Sequence, residues 1–406
     1  MIQQRISKIT DWLIIAIFLF PVLPLQASGL VLILAFLSIV FLAVLKRDSF
    51  RKPSLLNPLT PLFLVALTYL VYSFWASDLQ LAWFEFEKRA ALLAVPVLIH
   101  LKGKINASVI RWSKLAFVVA TSLLSFLLII LYVLGVIDET IQNPNFYFLL
   151  RTKFESISGV HPTYYGMFSG ATLLILMDFQ IHKSFPRLRT VIWVLLVVGA
   201  AGLILSGSRM SVIATLLVGS AFLLYFRKWT WFGSLLGGFA LLAILSQQVF
   251  LARLSDLLHI IKDPSRALVY SGTGDRISMY QCSMAILKDC WLFGLGSDNV
   301  QTTLNGCYLL INPKMALTHN YNSHNEYLNA ILTFGVWGLS LLIYFFVMVF
   351  RSIKSELLFS AIFGIVFFQM FTENILARQH GVFMVVMMTV LLVISRQNRS
   401  LQSRPE

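Results

Sequence analysis

Long, uninterrupted apolar runs limit what this chain can become more than any other feature. Blocks of roughly 17 to 25 apolar residues recur between short polar stretches, and that is the length a helix needs to cross about 30 Å of hydrocarbon at 1.5 Å per residue. Runs such as Val191 to Leu205 are apolar on every face. A membrane barrel would instead alternate in segments of about ten residues, so helices are the expected spanning element. Charged residues make up only 12% of the chain, against about 25% in soluble domains, which excludes an ordinary soluble fold. The expected fold class is all-α, a polytopic membrane protein of about twelve transmembrane helices with one long extracytoplasmic helical loop.

The spans are expected near 11–25, 28–45, 60–76, 88–101, 115–136, 162–180, 189–206, 209–226, 230–247, 327–350, 356–372 and 379–395. The first apolar block, Trp12 to Phe20, follows Arg5 and Lys8 as a signal peptide would. No small-residue cleavage site follows it, so it is expected to remain as the first span. With the N-terminus inside, 20 of the 32 Lys and Arg fall in cytoplasmic segments, six in short outer loops and six in one long segment. Long segments are exempt from the positive-inside rule, so twenty against six sets the orientation, with both termini cytoplasmic. The net charge of +14 is distributed as these topology signals, which speaks against a nucleic-acid partner.

Three regions follow: helices one to nine over 1–247, a long outer, periplasmic segment over 248–326, and helices ten to twelve with a cytoplasmic tail over 327–406. The outer segment carries apolar patterning, not the composition of a disordered tail. Ile277, Tyr280, Met284, Ile286, Leu287 and Trp291 recur at near-helical spacing between Ser271–Gly274 and Gly294–Ser297, as in a small helical lid. All three cysteines, Cys282, Cys290 and Cys307, lie there. Cys282 and Cys290 are eight residues apart on one expected helix, roughly 12 Å along its axis, beyond the reach of a bridge. Any disulfide would therefore use Cys307, with either partner; free thiols are the alternative.

The densest group of chemically capable residues is His319 to Gly338, HNYNSHNEYLNAILTFGVWG. Ser323 with Glu326 three residues on forms a capping-box pattern, which places Ser323 as N-cap and His324 in the first turn of the tenth span. The positive end of that helix would disfavour imidazolium and leave His324 neutral, as a general base requires. The plainer alternative is an interfacial histidine that only binds the loop; for Glu326, capping is the preferred role. His319 and Asn325 are secondary candidates beside it.

Arg209 lies in the tight turn Ser206-Gly207-Ser208-Arg209, where a guanidinium fork could grip phosphate oxygens, although a snorkelling arginine would look the same. Arg276 follows Ser271-Gly272-Thr273-Gly274-Asp275 at the start of the lid helix; its structural alternative is a pair with Asp275 or Glu373. Arg266, Arg378 and His161 are weaker candidates. The chain has no phosphate-binding Gly-rich loop ending in Lys-Ser or Lys-Thr, no His-Glu-x-x-His and no CxxC pair, so no metal or cofactor is expected.

These residues resemble the O-antigen ligase and polymerase superfamily. Its ligases carry His, then Asn, Ser or Gln, nine residues, Gly, two residues, and Gly, Thr or Tyr; His324-Asn325, Gly335 and Gly338 fit each constrained place. His319-Asn320 does not, because Ala330 stands where the first Gly belongs. The stretch from Gly274 through Arg276 to Gly294-Leu295-Gly296 looks like the family's Gly-x-Arg, helix, Gly-x-Gly. Tyr280 stands where Trp is usual, and Trp291 lies near a usual Pro. Ser208-Arg209 resembles the family's outer Ser-Arg turn.

The resemblance implies an inverting, metal-independent transfer of glycan from undecaprenyl pyrophosphate to a sugar hydroxyl of lipid A core, on the periplasmic face of the inner membrane. In that reading His324 is the base, and Arg209 and Arg276 share the pyrophosphate near it. A polymerase of the same superfamily is the nearest rival. A lipid-linked glycan transporter would be expected to show broken helices and ionisable residues at mid-membrane depth, and few of the latter occur.

Overall fold

The computed structural model describes residues 2–46, 56–102, 105–138, 146–245, 272–311 and 313–402. Helices dominate these residues, and none of them forms a strand. In order they are α1 Ile2–Ile17, α2 Leu25–Lys46, α3 Leu59–Ser73, α4 Leu79–Glu87, α5 Ala91–Lys102, α6 Ala107–Ile137, α7 Phe146–Ser158, α8 Pro162–Ile181 and α9 Arg189–Leu205. After them come α10 Arg209–Tyr225, α11 Trp229–Leu245, α12 Gly272–Cys290, α13 Val300–Ile311, α14 Lys314–Thr318, α15 Glu326–Phe350, α16 Leu357–Gln369 and α17 Gln379–Gln402.

Five segments are long and apolar enough to cross a membrane: Leu25–Val44, Ala107–Ile137, Pro186–Leu205, Glu326–Phe350 and Gln379–Arg399. Four shorter apolar helices accompany them, Leu59–Ser73, Ala91–Lys102, Arg209–Tyr225 and Leu357–Gln369. Their outward faces are apolar; Leu37, Leu123 and Val197 are all more than half exposed. Apolar surface on this scale is stable against lipid and not against water. The chain is a membrane protein.

The first expected span is corrected in extent. α1 stops at Ile17, and residues 18–23 continue as successive turns, with Phe18, Leu19 and Phe20 bonding three residues back. Pro21 and Pro24, which lack an N–H and crowd the preceding turn, account for the stop. Phe20 then points into the bundle, 5.3 to 5.8 Å from the rings of Phe117, Phe168 and Phe383.

α8 is the central helix, buried over nearly its whole length. Its Gly166 and Gly170 let α10 approach closely. A Cβ at 166 would lie 2.8 Å from Ser211 Oγ, and one at 170 would strike Thr215 Oγ1. Small residues four apart are how helices pack where lipid removes the hydrophobic drive.

α15 is not one straight span. Gly335 has φ 63° and ψ −152°, a conformation open only to glycine, and it separates residues 326–334 from 336–350. Tyr327 and Phe350 would stand about 34 Å apart on a straight helix. Both rings nevertheless contact Phe367, at 5.8 and 6.3 Å. Residues 326–334 therefore lie across the end of the bundle, and only 336–350 run along it.

The outer segment has its own small core of Met279, Cys282, Cys290, Val300, Leu304, Tyr308, Ala316 and Leu332. A Cys282–Cys307 disulfide crosses it, and Cys290 is a buried free thiol. At the opposite end of the bundle, Lys102 meets Asp11 at 2.7 Å and Asn398 donates to the Ile105 carbonyl at 3.2 Å.

Candidate active site

The loop before α15 is built by side chains. Asn322 Oδ1 accepts the backbone N–H of His324 at 3.0 Å, and this Asx turn holds His324 at φ 44°. Asn325 then caps the helix, its side chain accepting from Leu328 N at 3.0 Å. The expected capping box is corrected accordingly. Ser323 is not the N-cap, and His324 precedes the helix instead of lying in its first turn. Asn caps as well as Ser and sits closer to the helix start, and the left-handed turn at His324 cannot continue as helix. The Ser323 hydroxyl bonds instead to the Asn325 carbonyl (3.1 Å) and Asn374 Oδ1 (3.2 Å).

Glu326 does not close a box either. It is buried, and its Oε2 accepts the Leu376 amide at 2.7 Å, while its own N–H donates to the Met370 carbonyl at 2.8 Å. Asn325 Nδ2 and Tyr280 Oη both donate to the Phe371 carbonyl, at 3.2 and 2.9 Å. The connection between α16 and α17, residues 370–378, is therefore stitched to the histidine loop and to the lid helix. It carries Glu373, Asn374 and Arg378.

Glu373 is the centre of the arrangement. Its Oε1 lies 3.5 Å from His324 Nδ1, an electrostatic contact longer than a good hydrogen bond. Burial by itself would raise the Glu373 carboxyl, but His324, His161 and Arg276 outweigh it and hold the group below its ordinary range. His324 is not in the first turn of the helix, where the dipole acts, but lies ahead of the cap and faces a carboxylate.

His161 caps α8, its Nδ1 accepting from Thr163 N at 3.3 Å. Burial is the main cause that lowers its pKa, against the pull of Glu155 and Glu373. Arg378 Nη1 lies 3.5 Å from Glu155 Oε1, and His161 Nε2 lies 4.0 Å from Glu155 Oε2. Arg276 is exposed on α12. Its neighbour Asp275, the suggested partner, is occupied by the Ala316 backbone amide. His319 is exposed and stacks on Tyr321 at 5.5 Å, while Tyr321 meets the His324 ring edge-on at 5.4 Å. Arg209 opens α10 at the outer turn. Arg266 lies outside the described residues.

The glycines of the His-Asn-x9-Gly motif have a mechanical reason. The break at Gly335 frees the carbonyls of Leu332 and Thr333, and the amides of Leu295 and Gly296 bond them at 2.8 and 3.0 Å. A Cβ on Gly335 would strike the Leu292 carbonyl, and one on Gly294 the Thr333 carbonyl. The two glycine motifs thus pack backbone to backbone and clip the outer segment onto the far end of the arm that His324 precedes. Asp298 completes the clip, accepting Ser77 N, Ser77 Oγ and Asp78 N at 2.9, 2.8 and 3.2 Å.

Residues 194–343 match the family described as O-Antigen ligase. This part of the chain is similar to the O-antigen ligase family. No curated protein matches the chain. The family consists of glycosyltransferase-like membrane enzymes acting on lipid-linked glycans, and an enzymatic role follows. The matched residues include Arg209, Arg276 and His324. Arg151, His161, Glu373 and Arg378 come from the flanking helices, outside the matched residues.

Sequence reasoning passed over Arg151 as a topology charge and Glu373 as a mere alternative partner. The available signal was a carboxylate and a cation on short connections at the same end of the bundle as the motif residues.

Proposed function

We propose that the protein is an O-antigen ligase, moving a glycan from undecaprenyl pyrophosphate to a sugar hydroxyl of lipid A core at the periplasmic face of the inner membrane. Twelve helices cross the bilayer in this reading: α1, α2, α3, α5, α6, α8, α9, α10, α11, residues 336–350 of α15, α16 and α17. Both termini are cytoplasmic.

The observation that carries the reading is the His324–Glu373 pair, within the field of Arg276, at the end of the bundle that holds the outer segment. With Nδ1–H turned to Glu373, Nε2 of His324 holds the free lone pair. The acceptor hydroxyl gives its proton to Nε2 as its oxygen attacks the anomeric carbon from the face opposite the phosphate. The bond to pyrophosphate breaks, and lipid pyrophosphate leaves with the electron pair. Arg209 and Arg276 hold the charge of that leaving group through their guanidinium forks. The break in α15, a feature of transporters, serves here to dock the outer segment, because protein amides take up its freed carbonyls.

The test is a reconstituted reaction with lipid-linked donor and core acceptor. His324→Ala is expected to lower turnover by about 10² to 10⁴-fold, the usual worth of a positioned base, with donor binding retained and His319→Ala milder. Arg209→Lys and Arg276→Lys are expected to weaken transfer, since a point charge does not replace a fork. Near-normal turnover by His324→Ala would remove the assignment. Formation of repeat polymer without any capped core would favour the polymerase reading.

A further inference from the structure

Arg151 sits on α7, outside the matched domain, on an amphipathic helix at the outer end of the bundle. Its stem lies on the Ser206–Arg209 turn. A Cβ at Gly207, which has φ 65°, would be 3.4 Å from Arg151 Cδ, 3.8 Å from Nε and 3.9 Å from Nη1. These are ordinary van der Waals distances, so the arginine lies directly against the turn, and it is the backbone at φ 65° that calls for glycine at 207. Arg151 Nε is buried and, among the described residues, has no hydrogen-bond partner. Glu155, one turn further along α7, is turned to Arg378 instead.

A buried guanidinium N–H without a protein acceptor is costly, and an anionic oxygen is the acceptor that suits a guanidinium best. Burial lowers the Arg151 pKa, Glu373 and Glu155 support its charge, and Arg276 opposes it. Arg151 and Arg276 share Glu373, and Arg151 and Arg378 share Glu155, so three guanidiniums meet two carboxylates.

Resting on the transferase reading above, we propose that Arg151 is a third guanidinium of the pyrophosphate site, gripping the diphosphate of the lipid donor from the α7 side across the Ser206–Arg209 turn. The fork joins the matched domain to the helices before it, so a complete site requires both.

The probe is undecaprenyl pyrophosphate, titrated against the full-length protein in nanodiscs, with inorganic pyrophosphate as competitor. Arg151→Gln is expected to weaken binding about 10- to 100-fold, the worth of a charge-assisted hydrogen bond. Arg151→Lys should recover only part of it. Lys153→Gln, which removes an exposed charge two residues away on the same helix, should bind as the wild type does. Competition by inorganic pyrophosphate that weakens in parallel in the Arg151 variants places the contact on the diphosphate. Unchanged affinity in Arg151→Gln, or an equal loss in Lys153→Gln, would overturn the inference while leaving the transferase reading standing. A wild-type protein that held neither probe would remove that reading, and this inference with it.

Discussion

His324 and Glu373 meet through a contact that depends on the carboxylate remaining charged. The Glu373 carboxyl is buried, which alone would raise it, yet its neighbours hold it below the ordinary 4.5. A depressed carboxyl contributes stability that is fully present above the unfolded-state value and is lost as pH falls through the folded-state value. The difference in thermal midpoint between wild type and Glu373→Gln is therefore expected to be constant from neutral pH down to about 4.5 and to shrink below it. A difference that stayed constant into the acid range would show that Glu373 is not held charged by these neighbours. Glu326, one helix end away, belongs to structure: its carboxylate satisfies the Leu376 amide, and an amide oxygen in its place could accept the same bond.

At the scale of elements, the broken helix α15 decides how the site is assembled. Gly335 occupies a backbone region that costs a residue with a Cβ about 1 to 3 kcal/mol, and its Cβ would in addition strike the Leu292 carbonyl and approach Phe293 N to 2.6 Å. Gly335→Ala is accordingly expected to undock the outer segment before it unfolds the bundle. Hydrogen exchange at the Leu295 and Gly296 amides should rise in this variant, and proteolysis should cut first within 272–311. Protection at those two amides equal to wild type would refute the clip. Two facts point to the same modular lid: its core is separate from that of the bundle, and its disulfide lies wholly within it.

The whole molecule is arranged by sides. Lys102, Lys114, Asp178, His182, Glu356 and Arg399 gather at one end, while His161, His324, Glu373 and the disulfide lie at the other. From the charge asymmetry of the sequence the first end is expected to be cytoplasmic, and a disulfide is at home on the oxidising side. In a Cys290→Ser background, a membrane-impermeant maleimide applied from outside should label Lys153→Cys and spare Lys183→Cys, both exposed positions on opposite sides of the bundle. Labelling of the second and not the first would invert the topology and place His324 in the cytoplasm.

Apolar run length is a local property, and it was enough for the helical class and the membrane setting. Proline explains where local pattern misled, at the end of α1. His324, Arg209 and Arg276 were legible because motif spacing marks them one stretch at a time. What capped α15 was decided by competition between Ser323 and Asn325, which a single residue of backbone geometry settles. The match of Glu373 to His324 spans 49 residues, and that of Arg151 to the Gly207 turn spans 56. Such pairs carry no periodicity in the chain. They exist only because α7, α16 and the arm of α15 are packed against one end of the bundle, so only the tertiary structure could bring a carboxylate and a guanidinium to the residues that the sequence had already singled out.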